Sequence, residues 1–400
     1  MEDLLRAQFF AEAHPNFFDK TKITIVRVWL WFLNLILSIV SKVLWLRTIK
    51  EPKNILIYKL GNIGDVVCAM PAMKAIKERF PNSRVTLLTS PGIRGAIGAK
   101  NFLDGAPYLD EIRTYYTDDI SSISKIYSMI RTLRGEKYDL FIQLPDDWAR
   151  FRTLLRNEFF AKFIGTKYAF GFHLRTSSLF KKAQVDFTYK EREVEALLRI
   201  LERNGIPHKE VVFEFPAYHS LPAKTLAELE TLEKNKRVIL GVCMGGKTED
   251  KKWPLERYSE VLRILGKTHD VGVLFLGGPS EFNSIERVAK ESGVSYVNLS
   301  GLSIKESIAA IRHADAFLTN DTGPMHIAAA VGIPIVALFS IRSVLGSWFP
   351  YGDHNACLYK RFLKCNYGKE HCAKKSILAI SVDEVTKACE ATLMQLKHHE

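Results

Sequence analysis

The stretch AFLTNDTGPMH, residues 316–326, is typical of a buried strand that turns at once into a helix. Thr322 can cap that helix, and Pro324 suits its first turn. Because the first N–H groups of a helix lack intrahelical partners and carry partial positive charge, such a turn is a suitable place for a phosphate or diphosphate. The same turn also serves as an ordinary β–α connection in parallel sheets, so the rest of the chain must decide between the two.

A second stretch of this kind lies in the N-terminal half. A strand predicted at Asn54 to Leu60 runs into the sequence GNIGD and then into a helix predicted from Val66 to Phe80. Gly61 and Gly64 let a ligand approach the backbone. Asp65 either faces that ligand or simply caps the helix.

Two more strand ends carry glycines and charged side chains. The strand Val238 to Cys243 leads into MGGKTEDKKWP, residues 244–254, and a later strand leads into LGGPSE, residues 276–281. Open α/β sheets bind their ligands at the carboxyl ends of strands, where these residues lie. A solvated charge run before a helix would explain the lysines of the first stretch equally well.

Together the four stretches resemble glycosyltransferase family 9, which contains the ADP-heptose:lipopolysaccharide heptosyltransferases. The resemblance covers residues 53 to 390 and rests on the order and residue types of the Lys-x-Trp-Pro, Gly-Gly-Pro-x-Glu and Asp-Thr-Gly-Pro-Met-His motifs. It implies an α/β protein of GT-B architecture, with two Rossmann-like domains facing each other across a cleft. The first domain would bind mainly the acceptor, and the second mainly the nucleotide sugar.

The alternation of strands and helices predicts two parallel sheets without the resemblance. Further strands are expected at Arg84 to Thr89, Glu111 to Tyr115, Leu140 to Gln143, Val271 to Leu276, Ala316 to Thr319 and Ile335 to Leu338. We expect an N-terminal extension over residues 1–52, an acceptor domain over 53–215, a linker over 216–236 and a donor domain over 237–400. The linker contains a short amphipathic helix, Ala223 to Glu233.

The resemblance also implies an inverting transfer by single displacement, with no covalent intermediate. Asp65 matches the family's Gly-Asp motif and would be the general base, because a shielded carboxylate can have its pKa raised. Gly61, Gly64 and Arg94 would lie on the acceptor side.

On the donor side, the resemblance assigns Lys251 to the diphosphate charge and Glu281 to the ribose hydroxyls. The remaining donor-binding residues are expected to be Gly246, Lys247, Asp321, Thr322, Gly323 and His326. The family is regarded as metal-independent, and no cofactor is implied. The sequence contains no Asp-x-Asp motif for a divalent ion that would bridge the diphosphate.

The apolar, tryptophan-rich segment Ile23 to Leu46 predicts a helix with one polar stripe. The stripe consists of Lys20, Thr24, Arg27, Trp31, Asn34, Ser38, Ser41 and Lys42. Such a helix is suited to lie in the plane of a membrane interface. A span from Val28 to Leu46 and a helix buried against the protein's own core remain open. The acidic leader and the lack of a small-residue cleavage site do not favour a cleavable signal peptide.

The net charge of +12, from 56 Lys and Arg against 44 Asp and Glu, indicates an anionic partner or a merely solvated basic face. No aromatic-plus-basic nucleic-acid module is present, so a phosphorylated glycolipid at the cytoplasmic face of a bacterial inner membrane fits better than nucleic acid. The basic residues where an acceptor would lie are Arg94, Arg150, Arg152, Arg156, Lys162, Lys167, Arg175, Lys181 and Lys182.

The six cysteines are scattered through a large chain, so we expect reduced thiols. Cys357, Cys365, His371 and Cys372 would also permit a disulfide or a metal site, but their spacing matches no compact zinc motif.

Three other functions remain open from the sequence. The chain could be a GT-B transferase for another nucleotide sugar, a nucleotide-sugar epimerase or hydrolase, or a non-catalytic nucleotide-binding protein docked on a membrane. The presence of Asp65, Lys251 and Asp321 together argues against the last.

Overall fold

The computed structural model describes residues 17–45, 51–147, 149–175, 191–217, 221–343, 345–360 and 369–396. Lys181, Lys182 and Cys365, named above, lie outside these ranges. The chain divides after Ala217 into two compact units, and each unit contains its own parallel sheet.

The first unit has a five-stranded sheet in the order β3-β2-β1-β4-β5, with every neighbouring pair parallel. Its interior strands are buried on both faces, as expected for a sheet with helices on each side. The strands are β1 (Asn54–Tyr58), β2 (Arg84–Thr89), β3 (Glu111–Thr114), β4 (Leu140–Gln143) and β5 (Tyr168–Phe170). The helices are α1 (Phe17–Leu44), α2 (Ile63–Arg79), α3 (Lys100–Leu103), α4 (Ile123–Gly135), α5 (Phe151–Phe163) and α6 (Glu193–Arg203).

The second unit has a six-stranded parallel sheet in the order β8-β7-β6-β9-β10-β11. The strands are β6 (Val238–Cys243), β7 (Val271–Phe275), β8 (Ser295–Asn298), β9 (Ala316–Asn320), β10 (Ile335–Phe339) and β11 (Ala356–Tyr359). The helices are α7 (Ala223–Asn235), α8 (Leu255–Thr268), α9 (Phe282–Ser292), α10 (Ile304–Ile311), α11 (Gly323–Ala330), α12 (Lys369–Leu378) and α13 (Val382–Leu396).

Both sheets have the strand order of a mononucleotide-binding fold. In each, the order reverses beside the first strand, between β1 and β4 in the first unit and between β6 and β9 in the second. The crevice outside the carboxyl ends of these strand pairs is where open α/β sheets bind ligands. The loops that follow these four strands therefore decide where each unit can bind a substrate.

The predicted strands are all present, within two residues at their ends. The sequence analysis missed β5, β8 and β11, which are short strands that are only partly buried. The helix predicted inside the linker is α7, and it packs within the second unit. Its residues Leu229 and Leu232 are buried against Ile239 and Leu274 of the sheet.

Helix α1 packs on the first unit through a narrow face. Leu30 and Leu37 are buried against Leu154 and Leu174. Asn34 donates to the carbonyl of Leu174 at 3.1 Å and accepts from its N–H at 2.8 Å. Part of the polar stripe expected to face water or lipid head groups is thus turned toward the protein.

The opposite face of α1 is apolar and exposed. Val43 is 68% exposed, and Ile25 and Val28 are each 62% exposed. By length and composition, Thr24–Leu44 is long and apolar enough to cross a membrane, and only 11% of its most apolar window is buried. One alternative was that the whole helix is buried against the protein's own core. That alternative is wrong, because most of the apolar surface of α1 is exposed.

Candidate active site

The carboxylate of Asp321 is the centre of a polar cluster at the carboxyl end of β9. Its Oδ2 atom accepts hydrogen bonds from Lys251 Nζ at 2.6 Å and from Ser343 Oγ at 2.5 Å. Burial raises the pKa of Asp321, but the charge and hydrogen bonds of its partners outweigh burial and hold the pKa below its ordinary value. Asp321 and Lys251, two of the predicted donor residues, thus form a charged pair.

Asn320 fixes two loops beside this pair. The side chain is fully buried, and its Nδ2 donates to the carbonyls of Met244 and Gly245 at 2.7 and 3.0 Å. Its Oδ1 accepts from the backbone N–H of Trp253 and from the hydroxyl of Tyr258. All four hydrogen bonds join residues more than 60 positions away, so the loop after β6 is held against the Lys-x-Trp-Pro loop. The sequence analysis did not single out Asn320, although it directly precedes Asp321.

Asp250 sets the course of the chain just before Lys251. Thr248 donates to its Oδ1, and Arg342 Nη1 donates to its Oδ2 at 2.8 Å. Asp250 is buried, which raises the pKa of its carboxyl, but these partners together hold the pKa below its ordinary value. The sequence analysis missed Asp250 and Arg342, and their contacts hold the short helix Glu249–Lys251 in place.

Glu281 lies against the glycine loop that follows β6. Its Oε2 accepts a hydrogen bond from the N–H of Gly278 at 2.8 Å. A Cβ atom on Gly245 would lie 2.5 Å from Glu281 Oε1, and one on Gly277 would lie 2.9 Å from Oε2. A side chain at either glycine would therefore displace the Glu281 carboxylate from its present position.

Helix α11 begins at Gly323, with Thr322 in the cap position. The Thr322 side chain makes no capping hydrogen bond, contrary to the expectation, and its hydroxyl is instead 3.3 Å from the carbonyl of Asn320. The first N–H groups of α11 thus have no side-chain cap. His326 is buried one turn further on, with its ring 6.0 Å from that of Trp348.

Lys247 follows the glycine loop and is exposed. Among the described residues its ammonium group makes no hydrogen bond or ion pair. It is therefore available to an anionic ligand at the carboxyl end of β6, as expected for a residue bordering the phosphates.

In the first unit, Asp65 lies in the first turn of α2, which begins at Ile63 and so earlier than predicted. Its Oδ2 accepts a hydrogen bond from the N–H of Asn62 at 2.7 Å, so Asp65 does cap the helix. The side chain remains partly exposed. Burial raises the pKa of Asp65, with Lys59 and the Asn62 N–H acting in the opposite direction.

Gly61 is required by the position of Asp65. Its φ of +133° lies in the region that favours glycine, and an added Cβ would lie 2.3 Å from Asp65 Cβ. Gly64 is buried within the first turn of α2 and is not part of the open loop.

A buried ion cluster lies near Asp65. Glu193 is 3.4 Å from Lys59 Nζ and 2.6 Å from Arg175 Nη1, and the three side chains are 1%, 0% and 7% exposed. Desolvation lowers the pKa of Arg175, but the surrounding carboxylates outweigh it and raise the pKa above its ordinary value. Arg175, one of the basic residues expected where an acceptor would lie, is therefore buried in an ion pair with Glu193.

Arg94 makes local contacts on the surface. Its guanidinium lies 4.6 Å from the ring centroid of Tyr116, and its Nη2 atom contacts Asp119 Oδ1. A cavity of about 300 Å³ lies instead at the carboxyl ends of β1 and β4, lined by Leu60, Asp146 and Arg150 among others. Asp146, which lines this cavity, is one of the charges that raise the pKa of Asp65.

The described residues contain no group of three or more His, Cys, Asp or Glu that could hold a metal ion. Cys372 is disulfide-bonded, which corrects the expectation of reduced thiols. Cys68, Cys243, Cys357 and Cys389 are not disulfide-bonded, and burial raises the pKa of the Cys243 thiol to about 11.

Known proteins are similar to this chain in sequence and in fold. The model of glycosyltransferase family 9 (heptosyltransferase) matches residues 126–377, a span that begins after Asp65. The lipopolysaccharide core heptosyltransferase OpsX of Haemophilus influenzae is 22% identical over 329 residues, which cover 80% of this chain and 88% of that protein.

Two solved structures show the fold. A glycosyl transferase of family 9 from Veillonella parvula matches with a TM-score of 0.63 at 21% identity, over 86% of this chain and 98% of that one. The E. coli heptosyltransferase WaaC, solved with ADP-2-deoxy-2-fluoro heptose, matches with a TM-score of 0.55 at 15% identity, over 84% and 99%. Two Rossmann-like domains of the GT-B class are therefore confirmed.

Proposed function

Because the chain belongs to glycosyltransferase family 9, the heptosyltransferase family, we propose that it transfers a heptose from ADP-heptose to a hydroxyl of the lipopolysaccharide core. Family membership makes it a glycosyltransferase and sets aside the non-catalytic alternative. The relative OpsX acts on the lipopolysaccharide core, and WaaC binds an ADP-heptose analogue; these names support the acceptor and the donor.

The observation that carries the donor half is the Lys251–Asp321 pair beside the uncapped start of α11. An ADP diphosphate needs positive charge and N–H donors as its leaving group develops charge. Lys251 supplies the charge, and the N–H groups of Thr322 and Gly323 supply donors at a helix N-terminus. Asp321 fixes the ammonium group in place before the nucleotide arrives.

In the second half of the proposal, Asp65 acts as general base in a single displacement. The acceptor hydroxyl gives its proton to the Asp65 carboxylate while its oxygen forms a bond to the anomeric carbon of the heptose. The bond from that carbon to the diphosphate breaks at the same time, and ADP leaves with the electron pair. This displacement on the face opposite the leaving group inverts the anomeric configuration. A carboxyl whose pKa is raised by burial is a better base than an exposed one.

We also propose that α1 holds the enzyme at the cytoplasmic face of the inner membrane as a peripheral protein. The exposed apolar face of α1 and the net charge of +12 support binding to an anionic bilayer. Replacing both Trp29 and Phe32 with alanine should reduce co-sedimentation with vesicles that contain anionic lipid. Met394→Ala removes a similarly exposed apolar side chain from the second unit and is the control. Equal binding of both variants and the unchanged protein would contradict membrane attachment through α1.

Calorimetric titration with ADP, UDP, GDP and CDP tests the donor half. We expect a clear preference for ADP, and a preference for another nucleotide would indicate a different donor sugar.

Asp65→Asn tests the base: it should keep ADP binding but lose transfer to a lipopolysaccharide-core acceptor. Full transfer by that variant would exclude Asp65 as the base.

A further inference from the structure

The first unit contains a second, larger cavity, and the residues given a role in the proposed reaction do not line it. It has a volume of about 590 Å³ and lies between α4 and α5. Its lining is largely apolar and aromatic and includes Tyr58, Tyr115, Met129, Ile130, Phe160 and Phe163. A volume of this size lies within the range that binds small molecules.

The cavity has one polar end, at Arg156 and Asn157. Asn157 also lines the 300 Å³ cavity beside Asp146, so the two cavities share a wall. Asn157 is buried and donates to Gln143 Oε1 at 3.0 Å. Arg156 is exposed, and its guanidinium donates to Asn157 Oδ1 at 3.3 Å from Nε and 3.2 Å from Nη2. It makes no ion pair with a carboxylate among the described residues, so its positive charge is not neutralised beside the wall that the two cavities share.

The rim of the cavity is unusually apolar for a surface. Phe163 is 60% exposed, and Phe159 of the same helix is 41% exposed. On α4, Ile126 also lines the cavity and is 37% exposed. Helix α5 also packs against α1 through Leu154. Such a surface is costly in water unless an apolar partner covers it.

From these features we infer that the cavity binds an acyl chain of a phosphorylated lipid acceptor, with Arg156 contacting the phosphate. A cavity with a largely apolar lining and a cation at one position is complementary to an amphipathic anion. The adjoining cavity of about 300 Å³, which Asp146 and Arg150 line, would then accept the sugar part of the same molecule. The inference rests on the proposed function insofar as the bound lipid is the acceptor for transfer.

A binding experiment without any donor tests the cavity directly. The probe is dodecyl phosphate below its micelle-forming concentration, with inorganic phosphate as the comparison. Met129→Trp places a larger side chain in the cavity and leaves less room for the chain. It should weaken dodecyl phosphate binding by about tenfold or more, because burial of only two methylene groups already contributes that much. Ser128→Trp introduces the same side chain at the neighbouring exposed position of α4, and this variant should bind like the unchanged protein. Equal affinity of the Met129→Trp protein and the unchanged one would overturn the inference.

The role of Arg156 has its own test. Arg156→Gln should weaken dodecyl phosphate but leave dodecanol binding unchanged, since only the first ligand has a charge to pair. An equal loss for both ligands would refute the phosphate contact.

A photolabel separates the cavity from α1, whose apolar face could also bind a detergent-like probe. Dodecyl phosphate with a diazirine at its last carbon should label α4 and α5 in the unchanged protein, so this test does not depend on any variant folding. Labelling confined to α1 would refute the inference.

Transfer assays then test the proposed lipid site separately from the proposed heptosyl transfer. Met129→Trp should raise KM for an acylated core acceptor, leave kcat unchanged, and have no effect with the deacylated acceptor. Equal KM increases with both acceptors would contradict an acyl-chain site. If the unchanged protein transfers heptose to neither acceptor but still binds dodecyl phosphate in the cavity, the proposed function fails and the lipid site stands.

Discussion

Replacing Gly61 with alanine should disable the proposed base without removing it. The added Cβ would lie 2.3 Å from Asp65 Cβ, whereas ordinary van der Waals contact begins at 3.4 Å. The first turn of α2 would have to move by about 1 Å, and a misplacement of that size can cost about a hundredfold in rate. The φ of +133° adds strain of about 1–3 kcal/mol to the free energy of folding.

The assay is steady-state transfer, with kcat and KM for both substrates, together with thermal unfolding. We expect kcat to fall by about a hundredfold while calorimetric ADP affinity stays unchanged, because the donor loops belong to the second unit. Gly92→Ala is the matched control: its φ is +95°, but nothing lies within 4 Å of the added Cβ. It carries the backbone strain without the contact, so it should lower Tm but leave kcat nearly unchanged. Equal kcat losses in the two variants would refute the argument that Gly61 acts through Asp65.

Three other changes have defined outcomes. Lys59→Met removes a charge that lowers the pKa of Asp65, so the acid limb of the kcat–pH profile should move to higher pH, and an unmoved limb would contradict Asp65 as the titrating base. Lys251→Met should weaken ADP binding in calorimetry by about tenfold or more, whereas an unchanged affinity would exclude Lys251 from the diphosphate site. Burial raises the pKa of Glu158 from 4.5 to about 7, so the folded protein should lose stability as pH rises through that window. Glu158→Gln should flatten Tm against pH there, and an unaltered slope would refute this assignment.

The interior strands of both sheets were predictable because they are continuous apolar runs, as parallel strands buried on both faces must be. Short edge strands such as β8, with the sequence Ser-Tyr-Val-Asn, carry no comparable pattern. Asp65 and Asp321 could be singled out because each lies in a recognisable motif after a strand, Asp321 directly after β9 and Asp65 in the first turn of the helix that follows β1. Motif order also indicated Lys251.

The supporting residues could not be predicted in the same way. Ser343 reaches Asp321 from a loop after β10, and Arg175 reaches Glu193 from a different part of the chain. Such contacts depend on how distant segments pack, which local patterns do not contain. The role of Lys59 in the buried ion cluster was not predicted, because Lys59 lies at the end of an apolar strand. For α1, the periodicity showed two unlike faces but not which of them would meet the protein.

The way α1 is attached has a practical consequence for anyone who shortens the chain to make it easier to purify. Deleting the helix would remove an apolar surface, but it would also uncover Leu154. The backbone of Leu174 would lose the hydrogen bond that it accepts from Asn34 and the one that it donates to Asn34. Glu158 would lose its hydrogen bond with Ser41. A shortened protein would lose one exposed apolar surface and gain another. Purification in mild detergent with the helix retained is therefore the better way to avoid aggregation.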